Sequence, residues 1–219
     1  MGISFAYVFA MLGLAEGLRR WRRYSVDFTR KFIHIAVGMW AYGTVLLFRS
    51  RAWAVLPPLA FVGINALSYR RGLFKAMETG QKGHFGTVYF PLAFAVLIWL
   101  LWGRPALLVA SLMPMTWGDA LAAVVGRRIG QRRYRVAGSA RSLEGSVTMF
   151  LVSWAATLPP LVMLPGAALA RPAGGLAALG ASAVAALGAT LVEAASPFGL
   201  DNLTAVSYTH LTLPTIYSV

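Results

Sequence analysis

Apolar residues along this chain fall in long runs rather than at the third-and-fourth spacing of a surface helix. Seven runs, 3–18, 33–48, 52–68, 86–102, 105–125, 147–165 and 174–195, approach the roughly 20 residues a helix needs to cross a bilayer. The predicted fold is an all-α, polytopic transmembrane helix bundle, with residues 1–205 forming one integral membrane domain. Pro57-Pro58 and Pro159-Pro160 should kink their helices, with neighbouring helices satisfying the freed carbonyls. The Ala- and Gly-rich run 174–195 suits close helix packing. No internal repeat or long linker divides the chain.

Composition agrees. The residues are 58% hydrophobic and 12% charged, and the mean hydropathy is +0.65, values of membrane rather than soluble proteins. The absence of cysteine excludes disulfides and thiolate metal sites. A net charge of +13 on so apolar a chain points to orientation signals and lipid headgroups, not to nucleic acid.

The run at 3–18 has its cluster Arg19, Arg20, Arg22 and Arg23 after it, so it reads as a first membrane helix with an external N-terminus, not a cleavable leader. In that topology 16 of the 20 basic residues lie in the connections facing the cytoplasm, and only Arg49, Arg51, Arg104 and Arg171 lie opposite. This is a positive-inside pattern, expected for a bacterial inner membrane. The seven carboxylates, Glu16, Asp27, Glu78, Asp119, Glu144, Glu193 and Asp201, also fall on or near the cytoplasmic side. The charge rule does not require that, whereas cytoplasmic nucleotides and divalent metals would.

The polar stretch Gly126 to Ser146, with Asp119 before it, carries the richest chemistry. Asp119 lies in or at the end of an apolar helix, where an ionisable group costs roughly 2.5–3.5 kcal/mol unless partnered. Magnesium takes one or two carboxylates plus phosphate oxygens and water, and Asp119 with Asp201 or Glu144 meets that need. The six arginines of the stretch match phosphate geometry. Its glycines admit close backbone approach, and Ser139, Ser142 and Ser146 add donors. Ser142 is also placed to cap the following helix. The structural alternative is a solvated basic loop beside anionic headgroups. Arg30 and His34 share a helix face with Lys31 nearby; this trio suits phosphate binding, or proton transfer through His34, or else snorkelling beside a packed histidine. For Asp201-Asn202 the plain alternative is turn capping, and for Glu78 to Tyr89, with His84, it is structure.

Residues Val206 to Thr215 back-translate, with allowed codons, to GTC TCT TAT ACA CAT CTG ACG CTG CCG ACG, which resembles a transposase sequencing adapter read in frame. Residues 206–219 are therefore expected to be translated adapter and not a domain, and His210 is given no function.

Several stretches occur together in order: Arg30-Lys31-Phe32-Ile33-His34; Gly86-Thr87-Val88-Tyr89-Phe90-Pro91; Gly118-Asp119 with Gly126-Arg127 and Gly130; Ser142-Leu143-Glu144-Gly145-Ser146; and Glu193 with Asp201-Asn202-Leu203-Thr204. This set resembles the CTP-dependent lipid kinases, which include dolichol kinase, phytol and farnesol kinase and the fungal-type diacylglycerol kinase, and are related to phosphatidate cytidylyltransferases. The resemblance implies transfer of the γ-phosphoryl group of CTP, with Mg2+, to a lipid alcohol: a polyprenol, dolichol or phytol-like isoprenoid, with diacylglycerol next. It places Asp119 and Asp201 on magnesium. Arg127, Arg141, Ser142 and Ser146, with Gly126, Gly130, Gly145 and Asn202, would hold the nucleotide, assisted by Arg30 and Lys31. Glu144 or Asp119 would orient the acceptor hydroxyl, with His34 assisting proton transfer. Arg141 stands where the family often carries lysine, and the family usually continues past Asp-Asn into a final apolar helix. Two alternatives stand: a cytidylyltransferase making a CDP-lipid, and a non-enzymatic headgroup-binding protein or transporter.

Overall fold

Each apolar run becomes a helix, as it must where no water can pair with backbone groups. The computed structural model describes residues 1–22, 24–71, 86–136, 139–165 and 174–196, with Thr209, Thr212 and Leu213. Among these residues the helices are α1 (Gly2–Arg22), α2 (Val26–Leu47), α3 (Arg51–Arg71), α4 (Gly86–Leu101), α5 (Pro105–Met113), α6 (Ala120–Arg128), α7 (Leu143–Met163) and α8 (Gly174–Ala195). A π turn, Pro114–Asp119, joins α5 to α6, making one rod from Pro105 to Arg128 of 24 residues. α1, this rod, α7 and most of α8 are long and apolar enough to cross a membrane, and α4 is apolar but shorter. The protein is an all-α membrane bundle.

The rod is central. Of its most apolar stretch 67% is buried, against 17% for α1 and 28% for α7. Around it Leu97 and Ile98 of α4, Leu108, Leu112 and Met113 of α5, Met115 of the π turn and Leu161 of α7 form the core. The outer helices turn Trp53, Leu59, Leu151, Leu187 and Leu191 outward, as a lipid-facing surface requires. Polar side chains join helices: Tyr7 donates to the Ala36 carbonyl (2.9 Å) between α1 and α2, and Asn65 donates to the Thr87 carbonyl (2.7 Å) between α3 and α4. Asn65, a strongly polar residue inside an apolar run, is thus a helix–helix tie. Pro57, Pro58, Pro91, Pro159 and Pro160 all sit within helices.

Several helix ends lie farther out than the apolar runs predict. α1 continues through Arg19, Arg20 and Arg22, because Glu16 accepts from Arg19 at 2.6 Å and from Arg20 at 2.8 Å. α2 starts at Val26, capped by Ser25, whose side chain accepts from Phe28 N. Arg30 and Lys31 are therefore helical. The stretch read as a loop after position 125 first continues α6 to Arg128, then folds as an antiparallel hairpin of β1 (Arg133–Val136) and β2 (Ser139–Ser142). Arg133 pairs with Ser142 and Val136 with Ser139. Of residues 206–219, Thr209 donates to the Ser111 carbonyl (3.0 Å) and Leu213 packs into the core; an apolar side chain packs there whatever its origin.

Candidate functional site

One end of the bundle gathers the N-terminus of α2, the end of the π turn, α6, the hairpin, the N-terminus of α7 and the end of α8. Its centre is the ion pair of Lys31 Nζ with Asp119 Oδ2 at 2.5 Å, with side chains only 12% and 14% exposed. Lys31 Nζ also lies 3.5 Å from the Asp119 carbonyl. Asp119 is the last residue of the π turn, and such turns are rare and recur at functional sites.

The π turn is held between two helices. On the α2 side, Lys31, His34 and Gly38 succeed one another at three- and four-residue intervals and so share a face. His34 Nε2 lies 2.8 Å from the Met115 carbonyl, and the His34 ring packs on Phe90 of α4 with centroids 4.2 Å apart. A methyl group at Gly38 would overlap Thr116, and on the α7 side one at Gly118 would overlap Ser153 and approach Met149. These glycines let both helices reach the turn.

Further out, Asp27 of α2 forms ion pairs with two arginines, Arg127 at 3.3 Å and Arg30 at 3.6 Å. Arg127 lies eight residues beyond Asp119 on α6, about 12 Å along the axis. Sequence reading gave Asp27 no role; its signal was an acidic residue in a first helical turn, three positions before Arg30.

The Ser142 to Ser146 motif is tied to the hairpin. Ser142 Oγ caps α7 by accepting from Gly145 N (3.1 Å). Glu144 accepts from Arg132 N (3.2 Å), and Ser146 shares a 2.6 Å hydrogen bond with the Tyr134 hydroxyl. Tyr134 is a second residue the sequence reading missed; its position one hairpin register away gave no linear signal. Gly126 and Gly145 mark a close crossing of α6 and α7, their Cα atoms so placed that a methyl at Gly126 would sit 2.9 Å from Ser142 Oγ and 3.6 Å from Gly145 Cα. A methyl at Gly130 would overlap the Gly126 carbonyl. Gly126 and Gly145 thus let α6 and α7 approach closely.

Arg141 forms a buried ion pair with Glu193 of α8, their side chains 18% and 7% exposed, and donates to the Ser196 carbonyl at 3.1 Å. It fastens the hairpin to the end of α8. The structure thus joins Lys31, His34 and Asp119 around the π turn, brings Arg30 and Arg127 together on Asp27, and groups Arg141, Ser142, Glu144, Gly145 and Ser146 at the hairpin. Asp201 and Asn202, like Glu78 and His84, lie outside the described residues. Among the described residues no group of three His, Cys, Asp or Glu side chains forms a metal cage. One carboxylate within the membrane rod suits magnesium, which completes its shell with phosphate oxygens and water.

No family model matches the chain, and no solved structure matches it. Curated relatives do. The chain is 32% identical over 168 residues to the phytol kinase of Synechocystis sp., across 72% of this chain and 69% of that protein. It is 23% identical over 168 residues to the rice protein named probable phytol kinase 2, chloroplastic, across 71% of this chain and 55% of that one. With the rice probable phytol kinase 1, chloroplastic, it shares 26% over 159 residues, across 67% of this chain and half of that protein. This extent of identity to the cyanobacterial enzyme, on an apolar helix bundle, places the chain in the phytol kinase family of membrane lipid-alcohol kinases.

Proposed function

We propose that this protein transfers the γ-phosphoryl group of CTP to the hydroxyl of phytol or a similar isoprenoid alcohol. The observation that carries the reading is the buried Lys31–Asp119 pair at the π turn, with Arg30 and Arg127 beyond it. A carboxylate within an apolar rod needs a purpose, and phosphoryl transfer uses such groups for positioning and charge neutralisation.

In this reading Lys31 faces the reacting phosphates, and Arg30 and Arg127, which share Asp27, a more distant part of the nucleotide. Asp119 would hold magnesium, which when bound would neutralise phosphate charge. The alcohol oxygen attacks the γ-phosphorus, the bond to the β,γ-bridging oxygen breaks, and CDP leaves. The hydroxyl proton passes to a carboxylate, Glu144 or Asp119: Glu144 accepts from Arg132 N through one oxygen and, among the described residues, makes no hydrogen bond through the other, and Asp119 is paired with Lys31. The isoprenoid tail lies among the helices, and the head reacts at the cytoplasmic end, as the 16-to-4 division of basic residues implies.

The test supplies membranes holding the protein with CTP labelled at the α or the γ phosphorus and phytol, a polyprenol, diacylglycerol or phosphatidate. The expected product is phytol labelled from γ-CTP only, lost in Asp119→Asn. Label from α-CTP would make the protein a cytidylyltransferase, and label from neither would leave a headgroup-binding protein. ATP in place of CTP tests the donor. Because the chain has no cysteine, topology can be read separately: a cysteine replacing Arg104 should react with an impermeant maleimide in intact cells, and one replacing Arg128 only after permeabilisation.

A further inference from the structure

On the α2 face, His34 reaches the π turn through the turn's backbone. Its Nε2 lies 2.8 Å from the Met115 carbonyl oxygen. A carbonyl only accepts, so this nitrogen carries the proton and donates it. It is therefore not the nitrogen of a general base. The ring is fixed from the other side by Phe90. One turn earlier on the same face, Lys31 takes the Asp119 carboxylate, and one turn later Gly38 lies against Thr116. Three successive positions of α2 thus meet Asp119, Met115 and Thr116 of a six-residue π turn.

From this geometry we infer that His34 is a positioning residue: its hydrogen bond to the Met115 carbonyl holds the π turn in the form that presents Asp119 to Lys31 and the substrates. A π turn is rare because the tighter α-helix competes with it over the same residues. A carbonyl has two lone pairs to satisfy, and in an apolar core a hydrogen bond to one from a neighbouring helix ties the two helices together. His34 supplies that bond from α2. Without it, the turn is free to tighten, and Asp119, at the turn's C-terminal end, shifts with it. The inference rests on the proposed role of Asp119.

The test compares His34→Ala with His34→Gln, whose side-chain amide keeps an N–H donor. His34→Ala is expected to lower kcat on the order of 100-fold, the effect of a displacement of about 1 Å at a reacting group, with the KM for CTP changed far less. His34→Gln should recover most of kcat and keep the pH–rate profile of the parent. A glutamine variant as inactive as the alanine one, with a limb of the pH profile missing, would show that His34 transfers protons and would overturn the inference. So would a full kcat in the folded fraction of His34→Ala. A second readout needs no turnover: in a chain with His84 and His210 replaced by glutamine, the nitrogen NMR spectrum of His34 should show the Nε2-protonated tautomer. The Nδ1-protonated tautomer would also overturn it. A parent protein that phosphorylates no lipid alcohol sinks the kinase reading instead, and the positioning role with it, whereas failed rescue in an active parent sinks this inference alone.

Discussion

Replacing Lys31 by methionine should destabilise the protein more than replacing Asp119 by asparagine in the same background, and the double replacement should undo most of the loss. The two charges are 2.5 Å apart and nearly buried. Removing one partner of such a pair strands the other in a medium of low dielectric, at a cost of about 3–5 kcal/mol, whereas removing both charges is often close to neutral. For a chain of 219 residues, where 1 kcal/mol moves Tm by roughly 2–4 °C, Lys31→Met should lower Tm by about 6–20 °C. Lys31→Met with Asp119→Asn should return to within a few degrees of the parent. The seven tryptophans allow unfolding in detergent to be monitored by intrinsic fluorescence at one scan rate, as irreversible melting requires. Losses that simply add in the double variant, or a Lys31→Met protein as stable as the parent, would refute the argument, because Asp119 would then have another counter-ion or water.

The same packing sets further outcomes. Gly118→Ala should cost about 1–3 kcal/mol through overpacking against Ser153 and Met149, and adding Ser153→Ala should restore part of it in the same melting assay. Gly130→Ala should be worse than Gly126→Ala, since the first meets a backbone carbonyl and the second a movable serine hydroxyl; equal melting temperatures would contradict this. Arg141→Ala should lower Tm by stranding buried Glu193, and Arg141→Ala with Glu193→Gln should recover it. Chelating divalent metal with EDTA should abolish lipid phosphorylation while leaving Tm unchanged, because Lys31 still compensates Asp119.

The helices were legible because membrane spans write themselves as apolar runs, and the structure places a helix on every one. Their ends were less legible. Arg19 and Arg20 look like a loop until Glu16 is seen to pair with both on one helix, and the start of α2 at its Ser25 cap lies seven residues ahead of the apolar run at 33–48. The residue set around Asp119 was visible as chemistry but not as geometry. Sequence spacing cannot show that Lys31 meets Asp119 across 88 positions. Nor does it reveal a π turn, since Pro114, Thr116 and Gly118 within an apolar run suit a kink equally well. The hairpin escaped because two four-residue strands with three arginines offer no alternation to read; the crossing of Gly126 with Gly145 brings their ends together instead.

The π turn makes residue spacing in the central rod a functional variable separate from residue identity. A wide turn absorbs one extra residue without rotating the helix beyond it, so α5 and α6 keep their faces toward the core on either side of it. Deleting one residue from Met115–Gly118 should therefore be tolerated by the bundle: the rod reverts to continuous α geometry, and Gly126 still meets Gly145. Catalysis should not survive, because the reach of Asp119 toward Lys31 depends on that added width. A one-residue deletion in the middle of a buried helix, ordinarily among the most damaging changes a membrane protein can suffer, would here separate assembly from activity.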